Sequence, residues 1–164
     1  MSASEPSLHS IWVTPKALAE PRRIERAEAV AGRGLTGDRY ADGRGSFSGH
    51  APGRVRELSL IAFEDVRAFV DEVGRAVEPG ALRRNLVTLG LDLRELSGAL
   101  LAIGAVRIEI TGSCPPCGLL DRQLGFDARG ALRRRGGVRA RIVTGGELVA
   151  GAAVVVERQG QRLP

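Results

Sequence analysis

The chain predicts a mainly β domain, a closed or partly closed β-barrel with a few short helices. Three observations lead there. Val106, Ile108 and Ile110 alternate with Arg107 and Glu109, the period of a half-buried strand. Short apolar segments of this kind recur along the chain, punctuated by many of its 22 glycines. Against them stands a single convincing helical period, Val66, Phe69, Val70 and Val73 on one face of residues 63–77. A length of 164 residues suits one domain, and a chain of that size buries roughly 70% of its unfolded surface without needing staples.

Residues 1–10 read as a flexible tail and 11–160 as one domain, with no internal repeat or linker. The first strand period already begins inside that tail, over 8–13, and a second covers 22–30, with Pro15 and Pro21 punctuating the connection. Residues 32–53 are crowded with glycine, arginine and small polar residues and read as a long loop, a feature that is often functional. A strand over 55–62 leads into the helix, which Pro79 and Gly80 close. A short strand over 85–89 and a helical turn over 92–96 follow. Residues 100–103 and 105–111 flank Gly104 as a hairpin would. Residues 119–135 are weakly helical, interrupted by Gly125 and Gly130. Strands over 138–143 and 154–157, separated by a Gly145-Gly146 turn, complete the chain.

Composition narrows the function. No run of about 18 apolar residues exists, so no membrane-spanning helix is expected. The polar start lacks the basic and apolar regions of an export signal, which makes the cytoplasm the expected location. The net charge is +5, carried almost wholly by arginine because Lys16 is the only lysine. Arginine suits bidentate contact with phosphate or carboxylate, and an anionic ligand follows as readily as a plain compositional bias. Aromatics are only 4%, which weighs against nucleic acid, whose single strands need stacking platforms.

Gly32-Arg33-Gly34-Leu35-Thr36-Gly37 matches the dinucleotide-binding fingerprint in letters. That motif requires a helix to begin at its third glycine, and the loop-like residues 38–45 supply no apolar stripe for one. What survives is a glycine loop able to offer backbone N–H groups to an anion, with Arg39 adding charge; a tight turn fixed by Asp38 explains the spacing equally well.

Cys114-Pro115-Pro116-Cys117 follows the clearest strand at once. In a reducing compartment two close cysteines read as ligand, nucleophile or redox pair before structural disulfide. A thioredoxin-like pair is disfavoured, because no proline between Pro116 and Pro164 could form the facing cis-proline loop. A four-ligand zinc site is disfavoured because only His9 and His50 remain, far apart. Two buried structural thiols stay open, as does a soft thiolate that binds a transition metal or carries sulfur. A helix opening at Gly118 would favour the Cys117 thiolate, as would Arg122 nearby.

The landmarks line up with a known family. Gly34-Leu35-Thr36-Gly37-Asp38-Arg39, Arg84-Asn85-Leu86-Val87-Thr88 with Gly90, residues 98–104, the cysteine segment, residues 135–141 and Gly145-Gly146-Glu147 occur in its order from about Ile11 to Glu157. On these the chain resembles the MOSC domain, found at the C-terminus of molybdenum cofactor sulfurases and as small stand-alone bacterial proteins. The resemblance implies a β-barrel and one cysteine, matched by Cys117, that ligates molybdenum in the molybdenum cofactor or carries sulfur as a persulfide. Cys114 resembles an extra cysteine of small members. Arg83 or Arg84 with Asn85 match residues that contact the pterin, and Arg39 is placed near its phosphate. Tyr40 departs from the histidine that many relatives carry there.

The function so implied is molybdenum-dependent reduction of N-oxygenated small molecules, with electrons from an external donor because no flavin or iron–sulfur motif is present. The alternatives are a sulfur carrier loaded by a separate cysteine desulfurase, and a non-enzymatic arginine-rich binding module. Pyridoxal phosphate, also mentioned for the family, would need a Schiff-base lysine, and Lys16 on its proline-flanked segment is a poor candidate.

Overall fold

The computed structural model describes residues 4–16, 18–39, 41, 57–116 and 118–164. Much of the long loop expected over 32–53, together with Tyr40, His50 and Cys117, lies outside the described residues.

The strands are β1 (Ser7–Val13), β2 (Arg22–Ile24), β3 (Arg26–Val30), β4 (Gly34–Leu35), β5 (Leu58–Ala62), β6 (Leu86–Leu89), β7 (Leu100–Ile103), β8 (Val106–Ser113), β9 (Val138–Thr144), β10 (Gly146–Val149) and β11 (Val154–Arg158). The helices are α1 (Phe63–Val73), α2 (Gly118–Leu124) and α3 (Ala128–Ala131), with 3₁₀ turns at Pro79–Leu82 and Leu93–Glu95. β1 starts at Ser7, so residues 7–10 of the expected tail belong to the sheet, with Leu8 and Ser10 buried. β10 was not anticipated: Gly145-Gly146 signalled a turn, and the strand begins on the second of those glycines.

An eight-stranded sheet has the order β11-β7-β8-β9-β5-β6-β1-β2, and a three-stranded sheet the order β10-β3-β4. All pairs are antiparallel except β5 with β6. The mainly β expectation holds; the closed barrel does not. The large sheet curls until Ser7 meets Ala153, but that contact is an isolated bridge and no ladder joins β11 to β1 or β2.

Period-two alternation sends side chains to two cores. Leu8, Ile11 and Val13 of β1, Leu58 and Leu60 of β5, and Leu86 of β6 face an inner cluster that the small sheet joins through Ala27, Leu35 and Leu148. Trp12, Ile61 and Val87 point the other way and meet Val66 and Phe69 of α1 and Leu120, Ala128 and Leu132 of the α2–α3 region. α1 thus forms because its apolar residues fall on one face and find Ile61 and Val87 beneath them. It stops at Gly74, whose left-handed φ of 66° lets its N–H reach Val70 O at 3.0 Å.

Candidate functional site

β8 delivers the cysteine segment. Its pairing with β9 carries through to Ser113 opposite Val138, and the Cys114 N–H then donates to Gly137 O at 2.9 Å. Cys114 is half-buried. Cys117, the residue expected at the chemical centre, lies outside the described residues, and α2 begins directly after it at Gly118.

Arg84 holds this segment in place. Its Nε donates to Gly136 O at 2.7 Å and its Nη2 to Cys114 O at 2.9 Å, while Nη1 reaches Leu82 O at 3.3 Å. A planar guanidinium with five fixed donors can bridge three carbonyls in this way; an ammonium cannot. Gly136 makes the approach possible. A Cβ there would lie 2.7 Å from Cys114 O and 2.9 Å from Pro116 Cδ. Gly137, with φ of 92°, presses on the other side, where a Cβ would collide with Leu60 O. The two glycines are the seat between β5 and the cysteine loop.

The other expected residues gather at the neighbouring strand ends, with framework roles. Asn85 is 7% exposed. Its Oδ1 accepts from the Ser59 N–H at 3.1 Å, its Nδ2 donates to Trp12 O at 3.2 Å, and its own N–H donates to Ser59 Oγ at 3.1 Å. It staples β1, β5 and β6. Arg83 adopts a left-handed φ of 64° to close the 3₁₀ turn, and its Nη1 donates to Ala19 O at 3.0 Å. Arg39 is buried, with its backbone N–H on Thr14 O at 2.9 Å, and Asp38 Oδ1 accepts from the Thr14 N–H at 2.8 Å. The structure therefore joins the Arg-Asn segment directly to Cys114 through Arg84, and holds Arg39 at the end of β1, two residues beyond Trp12. Lys16 is exposed in that same connection.

The glycine motif has an internal explanation. After the two-residue β4, turns follow through Arg39, with no helix over the described residues. The anion met by its backbone is the protein's own Glu57, whose carboxylate takes hydrogen bonds from the Gly32, Ile142 and Arg33 N–H groups. Burial pushes the Glu57 carboxyl above its ordinary range, and those N–H groups with the Arg141 charge only partly oppose this. Its Oε1 has no partner among the described residues.

Cys114, Pro115 and Pro116 line a cleft of about 910 Å³, a size in the range of small-molecule sites. Arg133, Arg134, Asp65 and Leu163 line it too. None of Arg39, Arg83, Arg84 or Asn85 reaches this cleft. Sequence reasoning missed Asp65, because it sits on the polar side of α1 and only tertiary packing half-buries it. That burial raises its carboxyl pKa; Arg94 counters and Asp92 adds to the rise. The three consecutive arginines at 133–135 were a signal for the basic lining. Among the described residues no group of three or more His, Cys, Asp or Glu side chains could hold a metal by itself. No helix among them is long and apolar enough to cross a membrane.

Comparison with known proteins adds to this geometry. No curated protein matches the chain. The fold is similar to that of the YuaD protein of Bacillus subtilis, with a TM-score of 0.77 at 13% identity over 92% of this chain and 94% of that one. It is also similar to YiiM from Geobacillus stearothermophilus, TM-score 0.71 and 18% identity over 92% and 74% of the two chains. YiiM from Escherichia coli gives a TM-score of 0.64 at 17% identity over 97% and 70%. At these identities the likeness concerns the fold alone. The family model of the MOSC domain matches residues 48–155, nearly two thirds of the sequence, including the Arg-Asn segment, the cysteine loop and its glycine seat. The chain belongs to the MOSC domain family.

Proposed function

We propose that this MOSC protein binds the molybdenum cofactor, with Cys117 as the thiolate on molybdenum, and serves in the reduction of N-oxygenated small molecules using electrons from a separate donor. The observation that carries this reading is the clamp on the cysteine segment. Arg84 and the Gly136-Gly137 seat fix the backbone of Cys114 and Pro116 beside an open cleft. Such rigidity suits a loop that must present one thiolate in a set direction. The donor chemistry fits: a soft thiolate suits molybdenum and arginines suit the pterin phosphate.

In this reading Arg84 and Asn85 orient the site through backbone contacts and need not touch the cofactor. Arg39 remains the residue assigned to the phosphate. When bound, the cofactor supplies a metal centre that exchanges two electrons with the substrate. The chain supplies position and protons. Breaking an N–O bond reductively consumes protons, and Asp65, whose carboxyl pKa is raised by burial, stands in the same cleft as Cys114 as a proton-delivering group. Nucleic acid is not part of the reading, because Arg26, Arg107, Arg141 and Arg158 are engaged with carboxylates on the surface.

The test is the molybdenum content of protein made in a cofactor-producing host. Wild type should contain the metal and Cys117→Ser should lose nearly all of it. Equal metal in both proteins, or none in wild type, rules the ligand role out. A sulfur-carrier reading is favoured by the position of Cys114, half-buried three residues before Cys117. A Cys117 persulfide loaded by a cysteine desulfurase would be attacked by the Cys114 thiolate, forming a Cys114–Cys117 disulfide and releasing hydrosulfide. Mass spectrometry finding no added sulfur on Cys117 after incubation with a desulfurase and cysteine would exclude it.

A further inference from the structure

We infer that the cleft beside Cys114 is an oxyanion-binding site, in which Arg133 and Arg134 grip the phosphate or carboxylate of a small-molecule ligand and hold its body against the thiol. The case begins with which charges are already spent. Of the arginines lining the cleft, Arg129 is paired with Asp121 at 2.6 Å, Arg94 with Asp92 at 3.1 Å and Arg162 with Glu95 at 3.7 Å. The Arg133 and Arg134 guanidinium groups have no hydrogen-bond or ion-pair partner among the described residues, although carboxylates have claimed most other arginines nearby.

Neither carboxylate in the lining forms an ion pair with Arg133 or Arg134 among the described residues. Asp127 is engaged as the cap of α3, its Oδ1 accepting from the Gly130 N–H at 3.1 Å. Asp65 is half-buried, and burial raises its carboxyl pKa. The backbone reinforces the arrangement. Arg134 has a φ of 66°, a left-handed conformation that costs a non-glycine residue free energy, and this bend carries the arginine pair into Gly136 and the cysteine seat. Two adjacent guanidinium forks on one rim can hold a phosphate or carboxylate bidentately. Leu93 and Leu163 add apolar lining, which suits a ligand with an anionic end and a less polar body.

The inference deepens the cofactor reading, which uses the same cleft, but neither arginine matches a residue to which the cofactor was assigned. The test can therefore be run without the proposed molybdenum ligand. In Cys117→Ser protein, Cys114 is alkylated with iodoacetate, an anion, and with iodoacetamide, its neutral counterpart, and the rates are compared. The arginine pair should raise the iodoacetate-to-iodoacetamide ratio by about tenfold over the same protein carrying Arg133→Ala and Arg134→Ala. Arg133→Lys with Arg134→Lys should restore part of that preference, since charge is kept, while the iodoacetamide rate stays level in all three proteins.

Protection arms identify the anion. Pyrophosphate shielding Cys114 while citrate does not assigns a phosphate ligand; the reverse assigns a carboxylate; shielding by both supports an oxyanion site of broad choice. An unchanged alkylation ratio after loss of both arginines, or shielding that survives their removal, overturns the proposal.

Discussion

Arg84 ties together three parts of the site through backbone carbonyls. Its three carbonyl partners lie on the 3₁₀ turn before β6, the glycine seat and the cysteine loop. Hydrogen bonds from a charged donor contribute roughly 1.5–3 kcal/mol each at most, and removing the donor strands buried carbonyls. Arg84→Lys keeps the charge and loses the fork. It should lower stability by about 2–4 kcal/mol in chemical denaturation and speed alkylation of Cys114. Unchanged Cys114 reactivity would show that the loop holds itself.

Glu57 makes a second prediction at this scale, through pH. Its carboxyl is raised above the ordinary value of 4.5 in the folded chain. Between that value and the folded one, the native state binds more protons than the unfolded state, so stability falls as pH rises through this window. The cost is absent at lower pH, where both states are protonated, and grows as pH rises through the window. Glu57→Gln removes the titration and keeps an acceptor for the loop N–H groups. The variant should be more stable than wild type at pH 7, with the gain vanishing near pH 4. A Gln variant less stable at both pH values would mean that the carboxylate contacts outweigh its burial.

At the scale of elements, the glycine seat and α1 separate site from scaffold. Gly136→Ala places a methyl 2.7 Å from Cys114 O, a contact that the loop can relieve by moving. It should cost about 1–3 kcal/mol and abolish metal loading while the fold survives. Metal content and thermal unfolding, measured on the same sample, would reveal any variant that keeps both. Phe69→Ala acts on the opposite balance. Phe69 is fully buried between α1 and the outer face of the sheet, so its loss should cost about 3–5 kcal/mol with no specific effect on Cys114.

For the whole molecule, the question is how an open sheet holds its shape without a closing ladder. β1 lies between β6 and β2, and its start is stitched to the chain before β11. The Leu8 N–H donates to Ala152 O at 2.9 Å, the Gly151 N–H to Leu8 O at 2.7 Å, and the Val154 N–H to Pro6 O at 2.8 Å. These few bonds bring the far side of the sheet round to β1. Deleting residues 1–10 should therefore unfold the protein or lower its melting temperature by more than about 8 °C, rather than trim a loose tail. Calorimetry on the truncated chain decides between the two.

The sequence by itself determined most of the strands and the family. Alternation over 106–110 and apolar spacing from Val66 to Val73 are local periods, and local periods survive without tertiary information. The ordered landmarks were equally legible, including the cysteine segment and the Gly136-Gly137 pair. Tertiary structure alone decided what those residues do. Arg84 meets Cys114 across 30 positions of sequence, Asn85 meets Trp12 across 73, and nothing in the spacing foretells either contact. Arg84 and Asn85 meet backbone carbonyls and N–H groups because such buried groups must be satisfied. The sheet stays open because only the isolated Ser7–Ala153 bridge, and no ladder, joins its two sides among the described residues. And Arg133 and Arg134 became part of a cleft only once the fold had brought them beside the cysteine loop.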